Sequence, residues 1–273
     1  MIVEKENVKD LSSLAETSII ALYIRAIETQ SQNPMIKDEK AVDMMKKIEY
    51  DYQKLKKKIP KFDMIFGAMR VRQFDQYVKD FLSRFPDGVI VSIGSGLDAR
   101  FDRIDNGKVL FYDLDLPEVI QLREKFLQET ERNRFIASSV LDFQWVEQLE
   151  PLKDRRFMFI AEGVFMHLHG DEVKSLVLKL CENFPGSELV FDIFNTFVVD
   201  HNASHPVIKR MDITLHWGMK NSKELESWNK GIEFLDDWYY LGQKEKRLGI
   251  WGKLFHMIPK LNKMTWLVHY RLS

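Results

Sequence analysis

A glycine-rich stretch followed by two carboxylates has the residue types and the spacing to bind a nucleotide cofactor. An apolar, β-branched run leads into Gly94, Ser95 and Gly96, and glycine lets a ligand approach the backbone closely. The next apolar run ends in Asp113 and Asp115, 19 and 21 residues after Gly94. An acidic side chain at this point can accept both hydroxyls of a ribose. The pattern predicts the adenosine-binding half of an open α/β sheet.

The same stretch allows two other interpretations. Gly94, Gly96 and Ala99 satisfy a relaxed dinucleotide fingerprint, so an NAD-dependent oxidoreductase is an alternative. A tight strand-to-helix turn without any ligand is the other. That second interpretation leaves the two carboxylates at the end of the next strand unexplained, so we favour a nucleotide-cofactor enzyme.

The composition limits the partners and the location of the protein. The chain has 273 residues, of which 45% are hydrophobic, enough for one large α/β domain or a domain with an added lobe. Its net charge of -1 gives no electrostatic case for a nucleic acid or an anionic membrane as partner. Cys181 is the single cysteine, and residues 1–10 lack the apolar core of a signal peptide. We expect a cytoplasmic protein.

The elements that must position these residues follow from hydrophobic periodicity. Helical patterns over 11–29, 37–58 and 66–85 predict an N-terminal lid, residues 1–85, above the site. In the core, residues 86–273, strands alternate with helices, which predicts a mostly parallel sheet with helices on both faces. The expected strands are 89–93, 109–115, 135–140, 156–161, 187–194 and 264–272. We expect residues from about 196 to 245 to form a helical or loop insertion over the carboxyl edge of the sheet.

Several of these motifs, taken together in order, resemble the leucine carboxyl methyltransferase family, which includes the tetracenomycin-type polyketide O-methyltransferases. The matching stretches are 23–27, 70–75, 91–100, 111–118 and 161–164. The resemblance implies a class I, Rossmann-like fold with a helical lid and S-adenosylmethionine as cofactor. It makes NAD less favoured.

The resemblance also implies which residues hold the cofactor. Asp115 would accept the ribose hydroxyls, with Asp113 as the second choice. Arg70 would bind the α-carboxylate, because an arginine fork suits a carboxylate. The α-ammonium would lie against the turn at Gly94 and the carboxylate of Glu162.

Around the adenine, this sequence departs from the family. Ser139 stands where relatives often have an aspartate, and Asp142, three residues later, is a substitute. We expect Ser139, Val140 and Asp142 to border the adenine.

Other charged residues near the site have structural interpretations. We expect Arg100 and Arg103 to pair with neighbouring carboxylates. Asp98 either caps the following helix or braces the turn. For Arg25 we expect a packed stem with the charged head in water.

The catalytic residues depend on the acceptor. A carboxylate acceptor is already ionised, whereas a hydroxyl needs a base, and histidine is the usual base near neutral pH. His167 and His201 are our candidates, with His205 and His216 as alternatives. His167 and His169 stand where the family usually has a tyrosine and a proline. We expect no metal, because this pair has no third or fourth ligand nearby in sequence.

The sequence therefore predicts an S-adenosylmethionine-dependent O-methyltransferase for a hydroxyl or carboxylate of a polyketide-like small molecule. A protein C-terminal carboxyl methyltransferase is an alternative, less favoured because 23–27 and 70–75 match the polyketide branch better. An NAD-dependent oxidoreductase and a non-catalytic cofactor-binding module are the alternatives from other classes. The sequence does not determine the oligomeric state, and a homodimer is one of the options.

Overall fold

The structure is a computed structural model, and it describes residues 6–7, 13–201, 214–240, 243, 245–249 and 263–273. The candidate base His205 lies outside the described residues. None of the described helices is both long and apolar enough to cross a membrane.

Four helices precede the main sheet. They are α1 (Ser13–Thr29), α2 (Glu39–Lys47), α3 (Tyr52–Lys58) and α4 (Lys61–Arg84), and a small parallel pair joins β1 (Glu6–Asn7) to β2 (Ile48–Glu49). The single helix expected over 37–58 is wrong. Ile48 leaves the helix to pair with β1, and Asp51 then starts α3 by accepting a hydrogen bond from Lys54 N at 2.9 Å.

The core is a seven-stranded sheet. Its strands are β3 (Val89–Ile93), β4 (Leu110–Asp115), β5 (Asn133–Ala137), β6 (Phe157–Ala161), β7 (Ser187–Phe194), β8 (Ile232–Tyr239) and β9 (Thr265–Leu272). Their order is β5-β4-β3-β6-β7-β9-β8, and β9 runs antiparallel to both neighbours while β3 to β7 pair in parallel. The mostly parallel, Rossmann-like class I fold is therefore confirmed. The carboxyl ends of β3, β4 and β6 meet at one edge, where open sheets bind ligands.

In the described part of the chain, five further helices follow β3. They are α5 (Arg100–Ile104), α6 (Pro117–Glu124), α7 (Trp145–Leu149), α8 (Gly170–Asn183) and α9 (Thr196–Asp200). One face of the sheet packs on α7 and α8. The other face packs on α4, through Phe74, Val78 and Phe81. The expected lid thus divides in two: α4 covers the sheet, whereas α1 and α2 pack beside the loop at Leu97 and Ala99.

Strand β8 was missed from the sequence. The insertion expected between about 196 and 245 is wrong over 232–239, because this segment forms the edge strand beside β9. A register shift between Phe234 and Asp236 interrupts the alternation of its side chains. That irregularity hides the period of two by which a strand is identified.

Candidate active site

The turn after β3 is enclosed on two sides. Gly94 and Gly96 have positive φ angles of 64° and 52°. A Cβ on Gly94 would lie 2.4 Å from Val164 Cγ2, and one on Gly96 would lie 3.1 Å from Ser18 Cβ. The side chain of Ser95 is buried, and its Oγ has no hydrogen-bond partner within the described part of the chain. The turn therefore has the close backbone approach and the spare polar atom that a bound cofactor can use.

Asp115 lies at the end of β4, against this turn. Its Oδ2 accepts a hydrogen bond from Gly96 N at 2.6 Å, and its Oδ1 accepts one from Leu116 N at 2.8 Å. Each carboxylate oxygen keeps a further lone pair for a ligand hydroxyl. Burial raises the pKa of Asp115, while the two backbone donors oppose that rise. The two donors fix the carboxylate at the position expected for the ribose.

Asp113 points to the same face of β4 as Asp115 but is more deeply buried. It is 1% exposed, and its Oδ2 accepts a hydrogen bond from Arg123 Nη2 at 2.6 Å. Arg123 Nη1 also donates to Gly96 O at 3.0 Å. Burial raises the pKa of Asp113 to about 7, against the attraction of Arg123. The Asp113–Arg123 pair therefore supports the turn, and the second-choice assignment of Asp113 to the ribose stays a prediction.

Arg70 and Glu162 form a pair of opposite charges at the carboxyl end of β6. Arg70 Nε donates to Glu162 Oε1 at 2.9 Å, and Arg70 Nη1 donates to Asp192 Oδ2 at 3.3 Å. Asp192 Oδ1 accepts a hydrogen bond from Gly163 N at 2.6 Å. The Arg70 side chain keeps 26% exposure. A cation beside an anion is complementary to the carboxylate and ammonium of an amino acid.

Sequence reasoning missed Asp192. Its signal was a carboxylate inside the apolar run of β7, where a charge needs a partner to be buried. Nothing local indicated that the partner would be Arg70, which is 122 residues away in the chain.

Arg100 holds Glu162 from the buried side. It is 1% exposed, and its Nη2 donates to Glu162 Oε2 at 2.5 Å. Its Nε donates to Asp75 Oδ1 at 2.8 Å, and Nη2 lies 3.1 Å from Asp98 Oδ2. Burial lowers the pKa of Arg100, but the three carboxylates outweigh this effect and raise it. The expected pairing of Arg100 is confirmed.

Arg103 extends these contacts toward the N-terminal helices. It donates to Asp75 Oδ2 at 2.8 Å, to Asp98 Oδ1 at 2.7 Å and to Asp38 Oδ2 at 2.9 Å. Asp98 therefore braces the turn, and α5 begins without a side-chain cap. Burial favours a raised pKa for Asp98, but Arg103, Arg25 and Arg100 lower it below its usual range. The expected pairing of Arg103 is confirmed.

The position of the Arg25 side chain differs from the one expected from the sequence. Its head is buried rather than hydrated, with Nε 3.0 Å from Asp38 Oδ2 and Nη2 donating to Leu97 O at 2.9 Å. We refer to these buried and partly buried charged groups together as the arginine–carboxylate cluster. Its members are Arg25, Arg70, Arg100, Arg103, Asp38, Asp75, Asp98, Glu162 and Asp192.

The loop after β5 lies next to Asp115, since Ser138 N donates to Asp115 O at 2.9 Å. Within it, Ser139 Oγ accepts a hydrogen bond from Leu141 N, and Val140 O accepts one from Trp145 Nε1 at 3.1 Å. Asp142 is exposed and accepts from Gln144 N. The loop is thus beside the expected ribose position, and the adenine contacts of Ser139, Val140 and Asp142 stay a prediction.

The two candidate bases have different surroundings. His167 ends a 3-10 turn after β6 and is partly buried, with Nδ1 3.0 Å from Thr214 O. His201 is exposed after α9, with Nδ1 2.9 Å from Phe197 O and its ring 4.4 Å from that of Phe197, which is 67% exposed. His167 follows Glu162 closely in the segment after β6, whereas His201 lies after α9, beyond the end of β7. Within the described ranges, no group of three histidine, cysteine or acidic side chains has the arrangement of a metal site.

Comparisons with known proteins agree with this geometry. A family model described as leucine carboxyl methyltransferase matches residues 18–181. The tetracenomycin polyketide synthesis O-methyltransferase TcmP of Streptomyces glaucescens is 26% identical over 232 residues, which cover 85% of this chain and 84% of that protein. The S-adenosyl-L-methionine-dependent methyltransferase dpfgK of Gibberella zeae is 27% identical over 264 residues, 89% of this chain and 88% of that protein.

Solved structures show the fold. A duf574 family protein from Streptomyces avermitilis aligns with a TM-score of 0.59 at 14% identity, over 96% of this chain and 100% of the other. A putative S-adenosylmethionine-dependent methyltransferase from Listeria monocytogenes aligns with a TM-score of 0.51 at 10% identity, over 72% and 96%. Since the family model matches more than half of its length, this chain belongs to the leucine carboxyl methyltransferase family.

Proposed function

We propose that this protein is an S-adenosylmethionine-dependent O-methyltransferase for a hydroxyl or carboxylate of a polyketide-like small molecule. The observation that carries the proposal is the Arg70–Glu162 pair beside the Gly94 turn and Asp115. Family membership supports it, as do two relatives named as a polyketide O-methyltransferase and an S-adenosyl-L-methionine-dependent methyltransferase.

The residues of the site match the parts of this cofactor. S-adenosylmethionine supplies a methyl group activated by a positively charged sulfur. Arg70 binds its carboxylate and Glu162 its ammonium, while Asp115 accepts the ribose hydroxyls. On the far side of Asp115, Ser139, Val140 and Asp142 border the adenine.

The NAD interpretation is disfavoured by the charges at the turn. A pyrophosphate normally binds at the start of the helix that follows the glycines. Here Asp98 occupies that position, already paired with Arg100 and Arg103, and α5 is only five residues long. A carboxylate before the first turn repels a phosphate. A protein C-terminus as acceptor is disfavoured by the small-molecule chemistry in the name of the polyketide relative. The cytoplasmic location and the homodimer stay predictions.

The assignment of Asp115 is tested by binding. Asp115→Ala leaves the ribose hydroxyls without their acceptor, so we expect it to weaken S-adenosylhomocysteine by roughly 1–3 kcal/mol. Isothermal titration calorimetry measures the loss. Asp154→Ala is the matched control, because Asp154 is exposed before β6, at the opposite edge of the sheet.

Equal affinities of the two variants for S-adenosylhomocysteine would show that Asp115 does not bind the cofactor.

Thermal unfolding with each cofactor tests the class of enzyme. At a hundred times its dissociation constant, a ligand adds about 2.7 kcal/mol to the stability. We expect the unfolding temperature, Tm, to rise with S-adenosylhomocysteine and not with NAD. The reverse result would overturn the proposed function.

A further inference from the structure

We infer that Asp192, a buried carboxylate on β7, is the residue that positions Arg70 to bind the carboxylate of the cofactor. In this role Asp192 acts through other groups and does not contact the cofactor itself. It holds one nitrogen of the Arg70 guanidinium and, with its other oxygen, the turn that carries Glu162. The inference rests on the proposed function and deepens it, because it states how the amino acid end of the site is kept in place.

Asp192 lies just beyond the carboxyl end of the neighbouring strand β6. Ala161, the last residue of β6, pairs with Phe191, so the chain leaves β6 beside Asp192. On the other side, Asp192 pairs with Leu267 of β9. Val190, two residues earlier, packs in the core between the sheet and α4, so the side chain of Asp192 points to this face as well. A strand with neighbours on both sides gives the carboxylate a fixed position.

The two oxygens of Asp192 hold two different parts of the site. Oδ1 accepts a hydrogen bond from Gly163 N at 2.6 Å, and Oδ2 accepts one from Arg70 Nη1 at 3.3 Å. Gly163 has a positive φ of 72° and follows directly on Glu162. A single carboxylate therefore links the turn after β6 to the arginine on α4, and these are the two groups proposed to hold the amino acid part of the cofactor.

Arg70 keeps one nitrogen for a ligand. Its Nε donates to Glu162 Oε1 at 2.9 Å and its Nη1 to Asp192, whereas Nη2 makes no hydrogen bond to any residue in the ranges that the structure describes. The space beside this nitrogen is unfilled by Gly163, on which a Cβ would lie 3.9 Å from Nη2. Nη2 is therefore the donor that can meet the carboxylate of the cofactor.

The contact with Glu162 alone would not fix this orientation. Arginine has many rotamers, and a single hydrogen bond at Nε leaves the guanidinium free to tilt. A second hydrogen bond at Nη1 fixes the plane of the group, because its three nitrogens are coplanar. When the side chain is ordered before the ligand arrives, binding loses less conformational entropy. Asp192 supplies that second hydrogen bond.

The burial of Asp192 has a cost that packing does not require. The residue is 2% exposed, and its neighbours along β7 are the apolar Phe191 and Ile193. Burial raises the pKa of Asp192, while Arg70 and the Gly163 N–H oppose this rise. A buried ion pair contributes little net stability, because desolvation of the charges offsets their attraction. The contacts with Arg70 and Gly163 give the carboxylate a role in the site instead.

Two ligands with the same adenosine part separate this role from a general structural one. S-adenosylhomocysteine has the amino acid part, whereas methylthioadenosine lacks it. Asp192→Asn keeps an oxygen for Gly163 N but turns an amide donor toward Arg70 Nη1. We expect the affinity for S-adenosylhomocysteine to fall at least about 10-fold, and that for methylthioadenosine to change less than about 2-fold. Isothermal titration calorimetry measures both affinities.

Glu188→Gln is the matched control. Glu188 is as buried as Asp192, points to the same face of β7 and pairs with Arg84, which is also on α4. It lies at the opposite end of the strand, and its replacement makes the same change from carboxylate to amide. We expect both variants to unfold at lower urea than the wild type, and only Asp192→Asn to lose affinity for S-adenosylhomocysteine.

A double-mutant cycle tests whether Asp192 acts through Arg70. Arg70→Met removes the guanidinium and keeps most of the stem. In this background we expect Asp192→Asn to have no further effect on the affinity for S-adenosylhomocysteine, because the group that it positions is gone. Fold-changes that multiply in the double variant would show that the two residues act independently, which would refute the inference.

The results also separate this inference from the proposed function. If Asp192→Asn weakens both ligands equally, or weakens neither, Asp192 is not a positioning residue, and the proposed function stands because the wild type still binds S-adenosylhomocysteine. If the wild type binds neither ligand, the proposed function fails and the inference fails with it. If methylthioadenosine alone binds too weakly to be measured, the double-mutant cycle decides.

Discussion

Replacing Arg100 by methionine is the sharpest test of how this site is built. Arg100 is 1% exposed and contacts three carboxylates, those of Asp75, Asp98 and Glu162. Methionine keeps an unbranched stem of similar length but removes the charge. The substitution therefore leaves buried carboxylates with less compensation, while most of the packing is retained.

The expected magnitude follows from these contacts. Removing one partner of a buried ion pair costs about 3–5 kcal/mol, because the remaining charge stays buried. Here each carboxylate keeps a second arginine, since Arg103 contacts Asp75 and Asp98, and Arg70 contacts Glu162. We therefore expect the lower end, about 3 kcal/mol. For a chain of this size that corresponds to a fall of roughly 6–12 °C in Tm.

Urea unfolding at pH 7, followed by circular dichroism, measures the free energy of unfolding. Arg271→Met is the control: Arg271 on β9 pairs with Glu233 at 2.8 Å, with 42% of its side chain exposed, and should lose about 0–1 kcal/mol. The deficit of Arg100→Met should also shrink as the pH falls below about 4, because the arginines hold the pKa of Asp98 below its usual range and their contribution is lost as this carboxylate takes up a proton. Equal losses for the two variants, or a deficit independent of pH, would refute the reasoning.

Two further predictions concern the turn and the far end of β7. Gly94→Ala places a Cβ 2.4 Å from Val164 and strains a positive φ, whereas Gly107→Ala strains its φ of 82° with nothing within 4 Å of the new Cβ. The first variant should therefore unfold at lower urea and bind S-adenosylhomocysteine more weakly than the second, and equal behaviour would show that the turn tolerates a side chain. Burial raises the pKa of Glu188, but hydrogen bonds from a histidine and an arginine outweigh it and lower the pKa to about 2. This stabilisation is present above about pH 4.5 and is lost as the pH falls toward 2, so the unfolding free energies of wild type and Glu188→Gln should converge in acid; a constant gap would contradict the ion pair.

The sequence alone predicted the fold class, and it nominated the centre of the candidate site. Apolar runs alternating with helical patterns predict a parallel sheet, because each pattern depends on neighbours within a few residues. The Gly94 turn and Asp115 were found for the same reason, since a strand, a tight turn and the next strand form one local unit. Family motifs added Arg70 and Glu162, whose proposed roles neither spacing nor periodicity could have assigned.

Only the tertiary structure distinguished Asp115 from Asp113. Both point to one face of β4, and the sequence gives them the same strand and nearly the same spacing from Gly94. Arg123, on the following helix, forms an ion pair with Asp113, whereas Asp115 lies at the carboxyl edge of the sheet. Likewise, β8 owes its place to pairing with β9, and its own irregular alternation did not predict a strand.

The arginine–carboxylate cluster shows why such decisions need the folded chain. Arg103 meets Asp38 across 65 residues, and Arg70 meets Asp192 across 122. No local pattern specifies which of 40 basic and 41 acidic side chains will be buried together. That choice is made when helices and strands pack, because a charge removed from water is stable only where the fold brings an opposite charge within hydrogen-bond distance.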